Sequence, residues 1–216
     1  MDCKAIIFDL DGTLLDTLGD IADAANRIMS LRGYPVHSRE AYKWFIGDGA
    51  KRLIERALPP DQRLSSIITD CLNDFITDYH NHWAVSTRPY PGIRDTITDL
   101  VSKGIQLAVV TNKPHQSALD MMDHYFDTAA FGSILGQRDG IPPKPHPQQA
   151  LLAANTMGVR PETCIFLGDS AVDMKTAVRA GMQPIGAAWG FRPTRELKES
   201  GAVQILQRPQ ELLQMI

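Results

Sequence analysis

The chain has 216 residues, 44% hydrophobic and 22% charged, with 22 basic against 25 acidic side chains and a net charge of −3. This balance suits one or two domains with a real core, and the lack of any basic block or stripe removes electrostatic support for a nucleic-acid partner. Three cysteines, Cys3, Cys71 and Cys164, have no metal-type spacing, and their odd number argues against a disulfide framework. They read as reduced, inert thiols of a cytoplasmic protein. The apolar run Ala5-Ile6-Ile7-Phe8 is too short for a signal peptide, and nothing approaches the ~20 apolar residues of a membrane span, so no membrane partner is expected.

The first element, over residues 4–10, is an apolar run breaking at Asp11-Gly12-Thr13, the pattern of a buried strand entering a loop. Residues 18–83 then change to helical periodicity. Leu18, Ile21, Ala25 and Ile28 share one face, and Leu64, Ile67, Ile68, Cys71, Leu72, Phe75, Ile76 and Tyr79 form a longer stripe. Between them, residues 48–58 read as a shorter helix stopped by Pro59-Pro60. This stretch is expected to be a module of about four helices.

After Pro89-Tyr90-Pro91-Gly92, strands and helices alternate. Strands are expected over 105–110, near Ser133-Ile134-Leu135, over 164–167, around 184–187 and around 203–206. Helices are expected up to Ser102, from Pro114, over 147–157, over 171–180 and near Arg195. Such alternation implies an α/β fold, a mostly parallel sheet with helices on both faces. Strand one must join that sheet to satisfy its backbone, so the helical module is an insertion: residues 1–15 and 85–216 form the core and 16–84 the inserted unit.

Open α/β sheets bind ligands beyond the carboxyl ends of their strands, and the residues due there are informative. Strand one ends in Asp9-Leu10-Asp11-Gly12-Thr13, the 105–110 strand in Thr111-Asn112-Lys113, and the 164–167 strand in Gly168-Asp169-Ser170, with Asp173 following. Lys144 stands between the last two in Pro143-Lys144-Pro145-His146-Pro147. Each signal alone is ordinary turn or cap chemistry; together they make a site. Converging carboxylates repel and require a cation, and oxygen-only ligands select a hard ion, most simply Mg²⁺. Asp9 and Asp169 would supply side-chain oxygens and Asp11 its backbone carbonyl, leaving the Asp11 carboxyl for proton transfer. Thr111 and Asn112 offer donors for phosphate oxygens, and Lys144 a positive charge. Asp173, with Ser170 beside it, would support the site by orienting Lys144 or holding a metal-bound water.

In order, Asp9-Leu10-Asp11-Gly12-Thr13, Thr111-Asn112, Lys144-Pro145 and Gly168-Asp169-Ser170 with Asp173 resemble the four motifs of the haloacid dehalogenase-like hydrolases. The resemblance spans the chain and implies a Rossmann-like core with an all-helical cap inserted after the first motif. It also implies a two-step mechanism: Asp9 attacks phosphorus to form an aspartyl-phosphate, and Asp11 acts as acid and then base. Dehalogenases and phosphonate hydrolases of the family lack an aspartate at position 11, so Asp11 favours phosphate-ester or phosphoanhydride chemistry. The segment Ile46-Gly47-Asp48-Gly49-Ala50-Lys51-Arg52-Leu53 is similar to the cap of phosphoglycolate phosphatases. A glycine-rich turn opening a helix is a ready anion site, so Gly49, Lys51 and Arg52 are candidate substrate contacts, with Lys51 or Arg52 serving a substrate carboxylate. A solvated helix start is the alternative reading of the same residues.

The expected function is hydrolysis of a small phosphorylated metabolite, 2-phosphoglycolate foremost. A pyrophosphatase, nucleotidase or sugar-phosphate phosphatase on the same core, and a phosphate-binding regulatory protein, are the alternatives. Cap closure about hinges at residues 14–17 and 84–88 would exclude water. The sequence leaves the oligomeric state open.

Overall fold

The computed structural model describes residues 3–216. In chain order, strand β1 (Ala5–Phe8) and a short β2 (Leu15–Asp16) precede four helices: α1 (Leu18–Leu31), α2 (Arg39–Phe45), α3 (Ala50–Ala57) and α4 (Ser65–His82). A short β3 (Arg88–Pro89) follows, then α5 (Ile93–Ser102), β4 (Gln106–Pro114), α6 (His115–Tyr125) and β5 (Phe131–Gln137). The chain continues through α7 (Gln148–Thr156), β6 (Cys164–Gly168), α8 (Ala171–Ala180), β7 (Gln183–Ala187), α9 (Thr194–Glu199) and β8 (Gln204–Leu206). Two compact units result. One takes the chain through Leu15 and then Pro89–Ile216; the other is Asp16–Arg88.

In the first unit, six strands form one parallel sheet in the order β5-β4-β1-β6-β7-β8. β1 lies between β4 and β6, pairing Phe8 with Val109 on one side and with Leu167 on the other. The strand order reverses at β1, and in doubly wound sheets that reversal opens the ligand crevice at the carboxyl ends. Asp9 follows β1 directly and Asp169 follows β6 directly, so the topology sets these two carboxylates side by side at the switch point.

The strands explain their own sequences. All four residues of β1 and all five of β6 are buried, as a central parallel strand covered on both faces requires, and neither alternates. Under one face, Ala150, Ala153 and Ala154 of α7 and Ala177 and Ala180 of α8 pack with Ile7, Val110 and Phe166. Alanines at these positions let the helix axes approach the sheet while the larger strand residues fill the space between.

Two strands run longer than the sequence alone indicates. β5 extends over Phe131–Gln137, and β4 continues through Thr111, Asn112 and Lys113 to Pro114, with an irregularity in its pairing to β5 between Val110 and Pro114. Polar residues end the apolar run at Val110, but their side chains are buried by the site and the strand continues beneath them.

The second unit is all-helical. Along α4 the buried positions are Ile68, Cys71, Phe75 and Tyr79, a narrower stripe than periodicity suggests. Leu64 and Ile76 are exposed; the stripe follows only the side of α4 that α1 and α3 cover. Asn26 ties this unit together, accepting from Tyr42 Oη and the His37 N–H, each at 2.9 Å, and donating to the His37 carbonyl at 2.8 Å. The buried carboxylate of Asp20 accepts four groups from the far end of the same unit: the N–H and hydroxyl of both Ser86 and Thr87, at 2.6–3.0 Å. Burial alone would raise the Asp20 pKa, but these hydrogen bonds outweigh it and hold the group below the usual carboxylate range. The carboxylate thus fixes residues 86–87, where the inserted unit ends, against α1, where it begins. No helix among the described residues is long and apolar enough to cross a membrane.

Candidate active site

Four buried charged groups meet at the carboxyl ends of β1 and β6. Lys144 Nζ lies 2.7 Å from Asp173 Oδ1 and 2.8 Å from Asp9 Oδ1. The first contact is a directed hydrogen bond. The second is at ion-pair distance but off hydrogen-bond alignment, which leaves Asp9 Oδ1 buried without a directional donor. Carboxylate oxygens of Asp9, Asp169 and Asp173 all come within 4.8 Å of one another.

Each side chain has a local reason for its place. Asp173 is the third residue of α8, and its Oδ2 reaches back to accept from the Ser170 N–H at 3.1 Å and the Ser170 hydroxyl at 2.6 Å. This is a capping-box arrangement that leaves the other oxygen for Lys144. Asp169 Oδ2 accepts from the Phe191 N–H at 2.7 Å, and its Oδ1 from Thr13 Oγ1 at 3.2 Å. The backbone is pressed against this carboxylate: Gly12 has φ +86°, and a Cβ at either Gly12 or Gly190 would collide with Asp169. Only glycine meets both demands at Gly12. Trp189, in the same loop, donates from Nε1 to the Thr13 carbonyl at 3.0 Å.

Lys144 is held by its main chain as well. Asn112 Oδ1 accepts from the Lys144 N–H at 2.8 Å, and Asn112 Nδ2 donates to the Lys144 carbonyl at 3.1 Å. The amide that sequence reasoning offered to a phosphate therefore also clamps the loop carrying the lysine. Thr111, buried beside it, accepts from the Lys113 N–H at 3.1 Å. Asp11 stands apart from the acidic cluster, with Lys113 Nζ 3.1 Å from its Oδ1 and 3.3 Å from its Oδ2.

The electrostatics follow from burial. Taking Asp9 out of water, with the Asp173 charge nearby and only partly offset by Lys144, pushes its pKa up to about 7. Asp169 is raised well above the carboxylate range by burial and then by Asp173 and Asp9, against the Phe191 and Thr13 hydrogen bonds. Burial would lower the Lys144 pKa, but Asp173 and Asp9 outweigh it and raise it, so the ammonium stays charged. Ionising all three carboxylates against one ammonium would leave a buried excess of negative charge, which is costly without a further cation. A hard divalent ion fits such a set of oxygen donors.

The remaining candidates lie in the helical unit. Gly49 caps α3 with φ +87° after a turn that also includes Gly47 at φ +119°. Lys51 is exposed, and Arg52 pairs with Glu55 one turn on. Arg56, which sequence reasoning did not single out, braces this turn by donating to Asp48 Oδ2 and the Phe45 carbonyl. The cysteines are buried and form no disulfide, and burial pushes the Cys164 thiol up to about 11, which suppresses the reactive thiolate.

The chain is similar to several known proteins. A Pseudomonas putida phosphoglycolate phosphatase is 33% identical over 90% of this chain and 72% of its own length. A Vibrio parahaemolyticus phosphoglycolate phosphatase is 30% identical over 100% and 96%. The crystal structure of a Lactobacillus delbrueckii protein, provisionally named phosphoglycolate phosphatase, superposes with a TM-score of 0.93 at 30% identity, covering 100% of this chain and 99% of that one. The family model described as Haloacid dehalogenase-like hydrolase matches residues 6–187. With that match and the acidic cluster at the switch point, the chain belongs to the haloacid dehalogenase-like hydrolases.

Proposed function

We propose that this protein is a magnesium-dependent phosphatase of small phosphorylated metabolites, with 2-phosphoglycolate as its substrate. The observation that carries the reading is the buried set Asp9, Asp169, Asp173 and Lys144 at the ends of β1 and β6. The names of the two curated relatives support the choice of substrate.

In this reading the free Asp9 carboxylate attacks phosphorus in line. An Asp9 oxygen–phosphorus bond forms and the bond to the leaving oxygen breaks. Asp11 gives that oxygen a proton, then takes one from the water that attacks the phosphoryl group, regenerating Asp9 and releasing phosphate. Lys144 offsets the repulsion between an anionic nucleophile and an anionic substrate, while Asp173 and Asn112 hold Lys144 in place. Thr111 and Asn112 contribute donors toward the phosphoryl oxygens. Asp9, Asp169 and the Asp11 carbonyl are the groups proposed to hold Mg²⁺, with Asp173 and Ser170 in support. When bound, the ion supplies electrostatic stabilisation of charge on the phosphoryl oxygens.

The test is a phosphate-release screen in Mg²⁺ with EDTA controls. Release from phosphoglycolate should exceed that from nucleotides, sugar phosphates and pyrophosphate in kcat/KM and stop with EDTA. Preference for any of the others would reassign the substrate, and no release from any monoester would overturn the phosphatase reading.

A further inference from the structure

Among the described residues, two lysines are buried, one at the end of β4 and one in the loop after β5, and the mechanism above uses only the second. Lys144 is enclosed between Asp9 and Asp173. Lys113 sits at the far end of β4, one residue beyond Asn112, and is only 7% exposed. Its ammonium lies over the carboxyl of Asp11, 3.1 Å from Oδ1 and 3.3 Å from Oδ2.

We propose that Lys113 is a specificity-determining residue, whose ammonium receives a carboxylate carried by the leaving group next to the ester carbon. The inference rests on the phosphatase reading, in which Asp11 faces the leaving oxygen. A group that protonates that oxygen stands at hydrogen-bond distance from it, about 3 Å. An ammonium about 3 Å beyond Asp11 is then within about 6 Å of the leaving oxygen. In a two-carbon leaving group such as glycolate, covalent geometry sets the carboxylate oxygens about 3 Å from the ester oxygen. The remaining gap is the length of one charge-assisted hydrogen bond. A leaving group with no charge near the ester has nothing to offer this ammonium, and one whose charge lies several carbons away overshoots it. Lys144 does not serve this purpose, because its ammonium already lies between two carboxylates on the nucleophile's side.

The experiment compares 2-phosphoglycolate with 2-hydroxyethyl phosphate, which has the same length without the carboxylate, on wild-type, Lys113→Gln and Lys113→Arg protein. Glutamine retains a donor for Asp11 and removes the charge; arginine retains the charge. Wild type should favour phosphoglycolate in kcat/KM. Lys113→Gln should lose that preference by about tenfold to a hundredfold, the worth of a hydrogen bond to a charged group, mainly through KM, and Lys113→Arg should retain most of it. A Lys113→Gln protein with the wild-type preference ratio overturns the proposal. So does a wild type that hydrolyses both esters equally, which leaves the phosphatase reading standing. A wild type that releases phosphate from neither ester but does so from another monoester overturns the proposal alone, and one that releases it from no monoester overturns both. If Lys113→Gln does not fold, a Lys113→Arg protein that has lost the preference, or a wild type that never had it, still counts against the role.

Discussion

Asp9→Asn is expected to lower kcat by about 10⁴-fold or more, the scale on which loss of a covalent nucleophile is felt, without lowering thermal stability. Asparagine keeps the shape of the side chain and an oxygen that can face a metal, but it cannot form the acyl-phosphate. The change also removes a charge whose burial is unfavourable, as the rise of the Asp9 pKa to about 7 indicates. Lys144 keeps its 2.7 Å partner Asp173 in the variant, so no buried cation is stranded. Steady-state phosphate release alongside a thermal melt separates the two effects. An inactive variant with an unchanged or higher melting temperature fits the proposed nucleophile, whereas activity within a few-fold of wild type rules it out.

Lys144→Met is expected to cost about 3–5 kcal/mol of folding stability, because removing one member of a buried ion cluster strands the others. Asp9 and Asp173 would both lose their cation in a site where both are buried. The pH dependence has a definite sign. A carboxyl whose folded pKa is raised stabilises the fold most fully below its unfolded value of 3.8, and that contribution is lost as pH rises towards about 7. Without Lys144 the rise in pKa would be larger still, so the gap between wild type and variant should widen from acid to mildly alkaline pH. Urea titrations of both proteins in EDTA, at about pH 5 and about pH 8, measure this gap. A small gap independent of pH would mean that Lys144 does not balance these carboxylates.

Much of the candidate site was legible because a parallel sheet has only one edge at which ligands gather. Once β1 and β6 were recognisable as apolar runs, Asp9 and Asp169 had to emerge together. Lys144 and Asp173 were legible as motif residues, and Lys144 Nζ donates to Asp173 Oδ1 at 2.7 Å. Other parts left no such trace. Phe191 contributes a main-chain N–H to Asp169, a donor that any residue but proline would supply, so its side chain carries no signal. Gly190 matters by the room it leaves beside Asp169, which becomes visible only when distant segments meet.

Lys113 was hidden differently. Nothing in the sequence around Lys113 marks it as covered, and only the continuation of β4 through Pro114 puts it beside Asp11. In the helical unit, periodicity indicated about four helices but too wide an apolar face for α4, because exposure of Leu64 and Ile76 depends on which neighbours pack there. The Asp20 clamp was likewise unreadable, since its donors lie 66 and 67 residues away.

The claim on which the account turns is that phosphate reaches water by way of Asp9. The stereochemical course at phosphorus bears on it most directly. With a phosphorothioate monoester made chiral at phosphorus by one heavy oxygen isotope and hydrolysed in water of a second heavy isotope, two successive in-line displacements, onto Asp9 and then onto water, give chiral thiophosphate with retained configuration. A single displacement by water inverts it. Retention is the expected result, and inversion would contradict the covalent role assigned to Asp9.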